Sequence, residues 1–124
     1  MHGARTMSVY IALCVMAELA FAQQTTERFI PIGASPGISN VSSYIGRIVA
    51  VDAEAQTVTV EEEDGSGRHA LRVSAETRIW IDRSAEGRIN DEGTFGDCEI
   101  GRRAEVSYVA GDSSAASWIK VEGG

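Results

Sequence analysis

The chain is poor in the residues that usually carry chemistry or staple a small fold. Its 124 residues include two cysteines, two histidines, two prolines and three methionines. Cys14, His2, Met1, Met7 and Met16 all fall before Gln23, so the rest of the chain has one thiol, Cys98, one imidazole, His69, and no methionine. A lone thiol excludes an intramolecular disulfide. Long apolar runs are missing too. The longest, Met7 to Ala17, has 11 residues, short of the roughly 20 that a helix needs to span a bilayer, so no permanent membrane anchor is expected. Positive charge is scarce, with 11 basic residues against 18 acidic and a net charge of -7. Such a surface repels phosphate backbones, which disfavours nucleic acid and anionic membranes as partners, and no nucleic acid is expected.

The first 22 residues have the layout of a secretory signal peptide. His2 and Arg5 open it, the apolar run follows, and Ala20-Phe21-Ala22 offers small residues at both positions that a signal peptidase reads. Cleavage is expected between Ala22 and Gln23, which predicts a periplasmic or secreted protein. Leu13 stands where a lipoprotein needs a small residue before Cys14, so lipidation is not expected. Residues 23–42, rich in Gln, Thr, Ser and Gly and broken by Pro31 and Pro36, read as a flexible tail whose apolar knot Phe29-Ile30-Pro31-Ile32 is able to dock on the domain.

Residues 43–122 read as short strands separated by turn signals, with no long helix and no repeat of solenoid length. Val58 and Val60 alternate with Thr57 and Thr59, Asp64-Gly65-Ser66-Gly67 makes a hairpin turn, and Leu71 and Val73 share a face on the return. The mutually compatible inward set is Val49, Val51, Val58, Val60, Leu71, Val73, Ile79, Ile81, Val106, Tyr108, Ile119 and Val121. Five or six strands with that set close most economically as a small barrel, because closure removes exposed edges. Residues 82–101 form the irregular part.

No catalytic constellation emerges. Nucleophilic catalysis needs Ser or Cys beside an oriented base, and His69 is the one imidazole past the leader. A Cys98–His69 pair, and paired carboxylates, leave a small hydrolase as the second alternative. Glu61-Glu62-Glu63-Asp64 is the densest charge run, yet adjacent strand residues leave on opposite faces and do not converge on one ion. Asp82, Asp91, Glu92, Asp97 and Glu99, with Arg83 and Arg88, suit a surface ion-pair network. Neither a metal nor another cofactor is expected. Cys98 has three readings: burial as a small hydrophobe, pairing with another chain, or a reactive or metal-binding thiol. Burial is favoured, and with it a monomer.

Trp80 and Trp118 carry the most information, because strand parity sends both to the face opposite the apolar set. Either the long loop or the Phe29-Ile30-Pro31-Ile32 segment covers them, or they form a platform for a partner. That partner would be an envelope protein or a small ligand.

The run Tyr44-Ile45-Gly46-Arg47-Ile48-Val49-Ala50-Val51-Asp52, then Thr57-Val58-Thr59-Val60, Thr77-Arg78-Ile79, Ile100-Gly101 with Ala104-Glu105-Val106, and Ala116 to Val121, resembles the small exported OB-like domains grouped as domain of unknown function 5666. The family's Asp-Leu-x-x-Gly turn reads here Asp97-Cys98-Glu99-Ile100-Gly101, which sets Cys98 where a core leucine is usual. The resemblance implies an all-β OB-like barrel and no established activity. A looser likeness is to periplasmic copper chaperones, whose Met, His and Trp ligands suit copper(I). Without methionine, a metal site here would have to use Cys98 and His69. These features together predict an exported, noncatalytic binding or accessory module of the cell envelope, with metal handling as the alternative.

Overall fold

A computed structural model describes residues 26–34 and 43–123. The leader, its cleavage point at Ala22–Gln23, and residues 23–25 and 35–42 of the segment read as a tail lie outside the described residues. Seven strands carry the domain: β1 (Ser43–Asp52), β2 (Thr57–Glu62), β3 (Arg68–Arg72), β4 (Arg78–Asp82), β5 (Asp91–Glu92), β6 (Arg103–Val109) and β7 (Asp112–Glu122). Single-turn 3-10 segments at Glu27–Phe29, Ser84–Glu86 and Phe95–Asp97 complete the regular structure.

The strands form one sheet in the order β3-β2-β1-β6-β7-β4-β5, and a further parallel contact between Arg72 of β3 and Ala115 of β7 closes it. A ring β1-β2-β3-β7-β6 results. It is a three-stranded meander followed by a parallel step and an antiparallel return to β1. That is the connectivity of an OB barrel. The chain is therefore an all-β, OB-like barrel, to which β4 adds parallel to β7, and β5 antiparallel to β4.

Strand alternation explains the core. Val58, Val60, Leu71, Ile79, Ile81, Ala104, Val106, Ile119 and Val121 are all buried in one cluster, with Val51 and Tyr108 packed against it. One position departs from the expected inward set. Ile48, not Val49, enters the core, because the β1–β2 register slips between Ile48 and Ala50. Val49 is the extra residue of a bulge, and a bulge reverses the parity counted back from Val51. A second slip, where Tyr108 pairs with Ala116 but Ser107 with Trp118, brings Ala116 into the core beside Ile119.

Cys98 closes the 3-10 turn at Phe95–Asp97 and belongs to the same apolar cluster, 3% exposed. Burial first, then the charge of Asp97, pushes its thiol up to about 12 despite the opposing charge of Arg102. A thiol held protonated and out of water is a poor nucleophile near neutrality. Cys98 of the native protein at pH 8 should resist alkylation by iodoacetamide and react once denaturant unfolds the domain. Stoichiometric labelling of the folded chain within minutes would contradict the burial.

Candidate functional site

Two regions gather polar and aromatic side chains outside the core. The first is the outer face of β4, β7, β6 and β1. Pairing sets Trp80 beside Lys120, Lys120 beside Glu105, and Glu105 beside Ile45, while the next row runs Arg78, Trp118, Ser107 and Ser43. Residues 26–34 lie across this face. Lys120, with no exposed surface, meets Glu27 Oε2 at 2.5 Å and Glu105 Oε1 at 3.8 Å, and its Nζ stands 4.5 Å from the Trp118 ring centroid. Asn90 holds the segment from the irregular loop. Its backbone N–H donates to the Arg28 carbonyl (3.0 Å), and its Nδ2 donates to the carbonyls of Glu27 (2.9 Å) and Ile30 (3.0 Å). Further on, the N–H of Ile32 donates to Asp82 Oδ2 (2.9 Å) and that of Gly33 to Glu105 Oε1 (3.0 Å).

The expected tryptophan platform is corrected by this arrangement. Trp80 and Trp118 do leave the core face, but they are 3% and 1% exposed. Water does not reach them, because neighbouring strands and the docked segment enclose this face. Residues 26–34, part of the stretch read as a flexible tail, are likewise held in place. The docking has a pH signature. Burial pushes the Asp82 carboxyl upward, but hydrogen bonds from the Ser84 hydroxyl and the N–H groups of Ile32 and Ser84, with the Lys120 charge, outweigh it and hold the carboxyl below its ordinary 3.8. A depressed carboxyl stabilises the fold above its unfolded value, and that contribution is lost as the pH falls through the folded value. In an acid titration the amide resonance of Ile32 should therefore move with a midpoint below 3.8. A midpoint at or above that value would count against the contact.

The second region is one open end of the barrel. Tyr44 and His69 project from the inner side of β1 and β3 beyond the packed core and stack at 3.6 Å between centroids, 8° from parallel. Tyr108 lies 5.5 Å from Tyr44 at a tilt of 32°. Glu62 Oε2 is 3.0 Å from His69 Nε2 and accepts the Ser66 hydroxyl at 2.6 Å. Those two hydrogen bonds hold the Glu62 carboxyl below the usual range, whereas burial and then the neighbouring Tyr108 and Glu62 raise the Tyr44 phenol. At neutral pH the end therefore presents a carboxylate beside uncharged tyrosine rings.

Many of the other charged residues form ion pairs at the surface. Glu61 meets Arg68 and Glu63 meets Arg103, while Glu62 turns to His69, so the acidic run disperses over two faces. In the loop, Arg83 and Arg88 share Glu86 and Asp91, and Arg102 meets Glu99. Asp97 instead caps the short turn at Thr94. Among the described residues, no group of three or more His, Cys, Asp and Glu side chains could hold a metal ion. Cys98 and His69 have separate surroundings, one in the apolar cluster and the other in the aromatic stack.

Neither a family model nor a curated protein matches this chain. Two solved structures are similar in shape. One is CusF with silver(I), 17% identical, covering 65% of this chain and 96% of CusF at a TM-score of 0.45. The other is a CusF variant with copper(II), from Escherichia coli, 16% identical, covering 70% of this chain and 98% of that one at a TM-score of 0.44. The barrel assignment stands on the strand pairing itself. Among the described residues, no helix is long and apolar enough to cross a membrane.

Sequence reasoning missed Glu27, Asn90, Glu105, Lys120 and Tyr44 as interacting residues. Lys120 and Glu105 carried a faint signal, since each is a charge set among residues that strand alternation buries. Glu27 carried none, because it meets Lys120 across 93 residues of chain.

Proposed function

We propose that this protein is an exported, noncatalytic binding module of the bacterial cell envelope, of the type grouped as domain of unknown function 5666, and that it takes a cationic group at the open end of the barrel. The observation that carries this reading is the Tyr44–His69 stack with Tyr108 at its side and the Glu62 carboxylate at its rim. Aromatic faces attract cations through their quadrupole, and a carboxylate adds charge complementarity. The chain's net charge of -7 would draw such a partner in over a distance. Cys98, enclosed in the apolar cluster, is not placed for nucleophilic attack.

Calorimetric titration with a tetra-arginine peptide tests the reading. Binding should weaken steeply between low and physiological salt, and Tyr44→Ala combined with Glu62→Gln should reduce it at least tenfold in a variant that still melts cooperatively. Unchanged affinity in that variant would remove the open end from consideration.

Metal handling is the second reading, and His69 with Glu62 is the observation that favours it. Their Nε2 and Oε2 atoms lie 3.0 Å apart at a partly exposed position, so one ion could replace the hydrogen bond between them. Cys98 has no place in that arrangement. Native mass spectrometry on protein made with its own leader and recovered from the envelope separates the two readings. The binding module begins at Gln23 and carries no metal; a stoichiometric metal lost in His69→Ala would establish the second reading.

A further inference from the structure

The segment across the outer face is an imperfect occupant of the place it fills. Of residues 26–34, Glu27 alone is fully buried, Ile30, Pro31 and Ile32 are half-buried, and Phe29 leaves 63% of its surface in water. Little apolar area holds it down. Its backbone is held directly: the carbonyls of Glu27, Arg28 and Ile30 accept from Asn90, and the N–H groups of Ile32 and Gly33 donate to Asp82 and Glu105. Any extended peptide carries those groups. Among the segment's side chains, the Glu27 carboxylate is set against Lys120, which has no exposed surface. Beneath lie two tryptophans, and the indole N–H of Trp80, fully buried, finds no acceptor among the described residues. An unmet buried donor carries an uncompensated desolvation cost, which an occupant able to bring an acceptor to it would relieve.

We propose that the outer face of β4, β7 and β6 is a docking groove for an extended segment of a partner protein that carries a carboxylate side chain, and that residues 26–34 fill the groove in cis until such a segment displaces them. Lys120 selects the carboxylate, Asn90, Asp82 and Glu105 hold the peptide backbone, and Trp80 and Trp118 form the floor. Segments bound through few apolar contacts open locally without unfolding the domain. Exchange between the chain's own segment and a competitor then needs no rearrangement of the barrel. The site is separate from the open end, and its test does not depend on the cationic ligand proposed there.

The probe is a fluorescein-labelled nonapeptide with the sequence from Thr26 to Ala34, used against the full chain and against its Glu27→Ala variant, in which the internal competitor has lost its carboxylate. The variant should bind the peptide at least tenfold more tightly than the unaltered chain. A peptide with glutamine at the position of Glu27 should bind the variant at least tenfold more weakly. Glu27→Gln, which preserves shape, replaces Glu27→Ala should the latter fail to fold. In the unaltered chain, amide hydrogen exchange should be at least a hundredfold faster at Ile32 and Gly33 than at Val60 and Ile119. The inference is overturned if the peptide binds both chains equally or neither, if the glutamine peptide binds as well, or if Ile32 and Gly33 exchange only with global unfolding.

Discussion

Replacing Lys120 with methionine is expected to cost about 3–5 kcal/mol of folding stability, a large share of what a domain of this size possesses. Methionine fits the volume of the lysine stem, so packing against Trp118 is largely retained and the loss is electrostatic. Glu105 is 2% exposed and Glu27 4% exposed. Removing the ammonium leaves two carboxylates out of water with their countercharge gone. The cost arises from stranded charge, because a buried ion pair and an apolar replacement of equal shape often have similar stability. Combining Lys120→Met with Glu27→Leu and Glu105→Gln should therefore recover most of the loss. The glutamine carbonyl can still accept the Gly33 N–H, and its amide NH2 can donate to the Ser43 hydroxyl that now donates to the other Glu105 oxygen. Urea denaturation of the single and triple variants provides the comparison. A single variant within 1 kcal/mol of the parent would mean that the network is open to water in solution.

Gly46→Ala is expected to be almost as damaging, for a steric reason. A Cβ at position 46 would lie 1.8 Å from the carbonyl oxygen of Glu61 and 2.6 Å from its carbonyl carbon. Both atoms are backbone, so relief requires β1 and β2 to separate. The cost should reach the upper end of the overpacking range, about 3 kcal/mol. Gly65→Ala is the control. Gly65 has a φ of 74° but open space around it, so alanine there meets only the left-handed penalty of about 1 kcal/mol. Because Tyr44 and Glu62 flank the Gly46 contact, Gly46→Ala should also disturb the Tyr44–His69 stack, visible as a loss of the ring-current shift on His69. Equal costs for the two glycine variants would contradict the close approach of the strands.

The barrel was legible because a sheet with one buried face writes a period of two into its sequence. Val58 and Val60, Ile79 and Ile81, and Ile119 and Val121 all fall where alternation places them. Alternation fails at a bulge, which is why Ile48 took the place assigned to Val49. The strands of the closing hairpin were read in part. β7 begins at Asp112, four residues before the Ala116 at which the family likeness opens its last segment, since the tight pairing of Val109 with Asp112 extends the ladder through residues with polar side chains. Parity also placed Trp80 and Trp118 correctly on the outer side, but parity does not say what covers that side. Cover depends on a partner 93 residues away for Lys120 and 50 residues away for Asp82, and such separations leave no local pattern. The open end was hidden for a related reason. Tyr44 and His69 sit in β1 and β3, and their ring contact spans the β2 strand between them, which leaves no local pattern.

The measurement closest to the proposed function is a two-dimensional amide and aromatic NMR titration of the full chain with tetra-arginine at low salt. Binding at the open end predicts shifts concentrated on Tyr44, Glu62, Ser66, His69 and Tyr108, fading as salt is raised, with Ile32, Gly33 and Asn90 unmoved. Shifts scattered over the acidic surface, or confined to the face beneath residues 26–34, would contradict the assignment of ligand recognition to the aromatic end of the barrel.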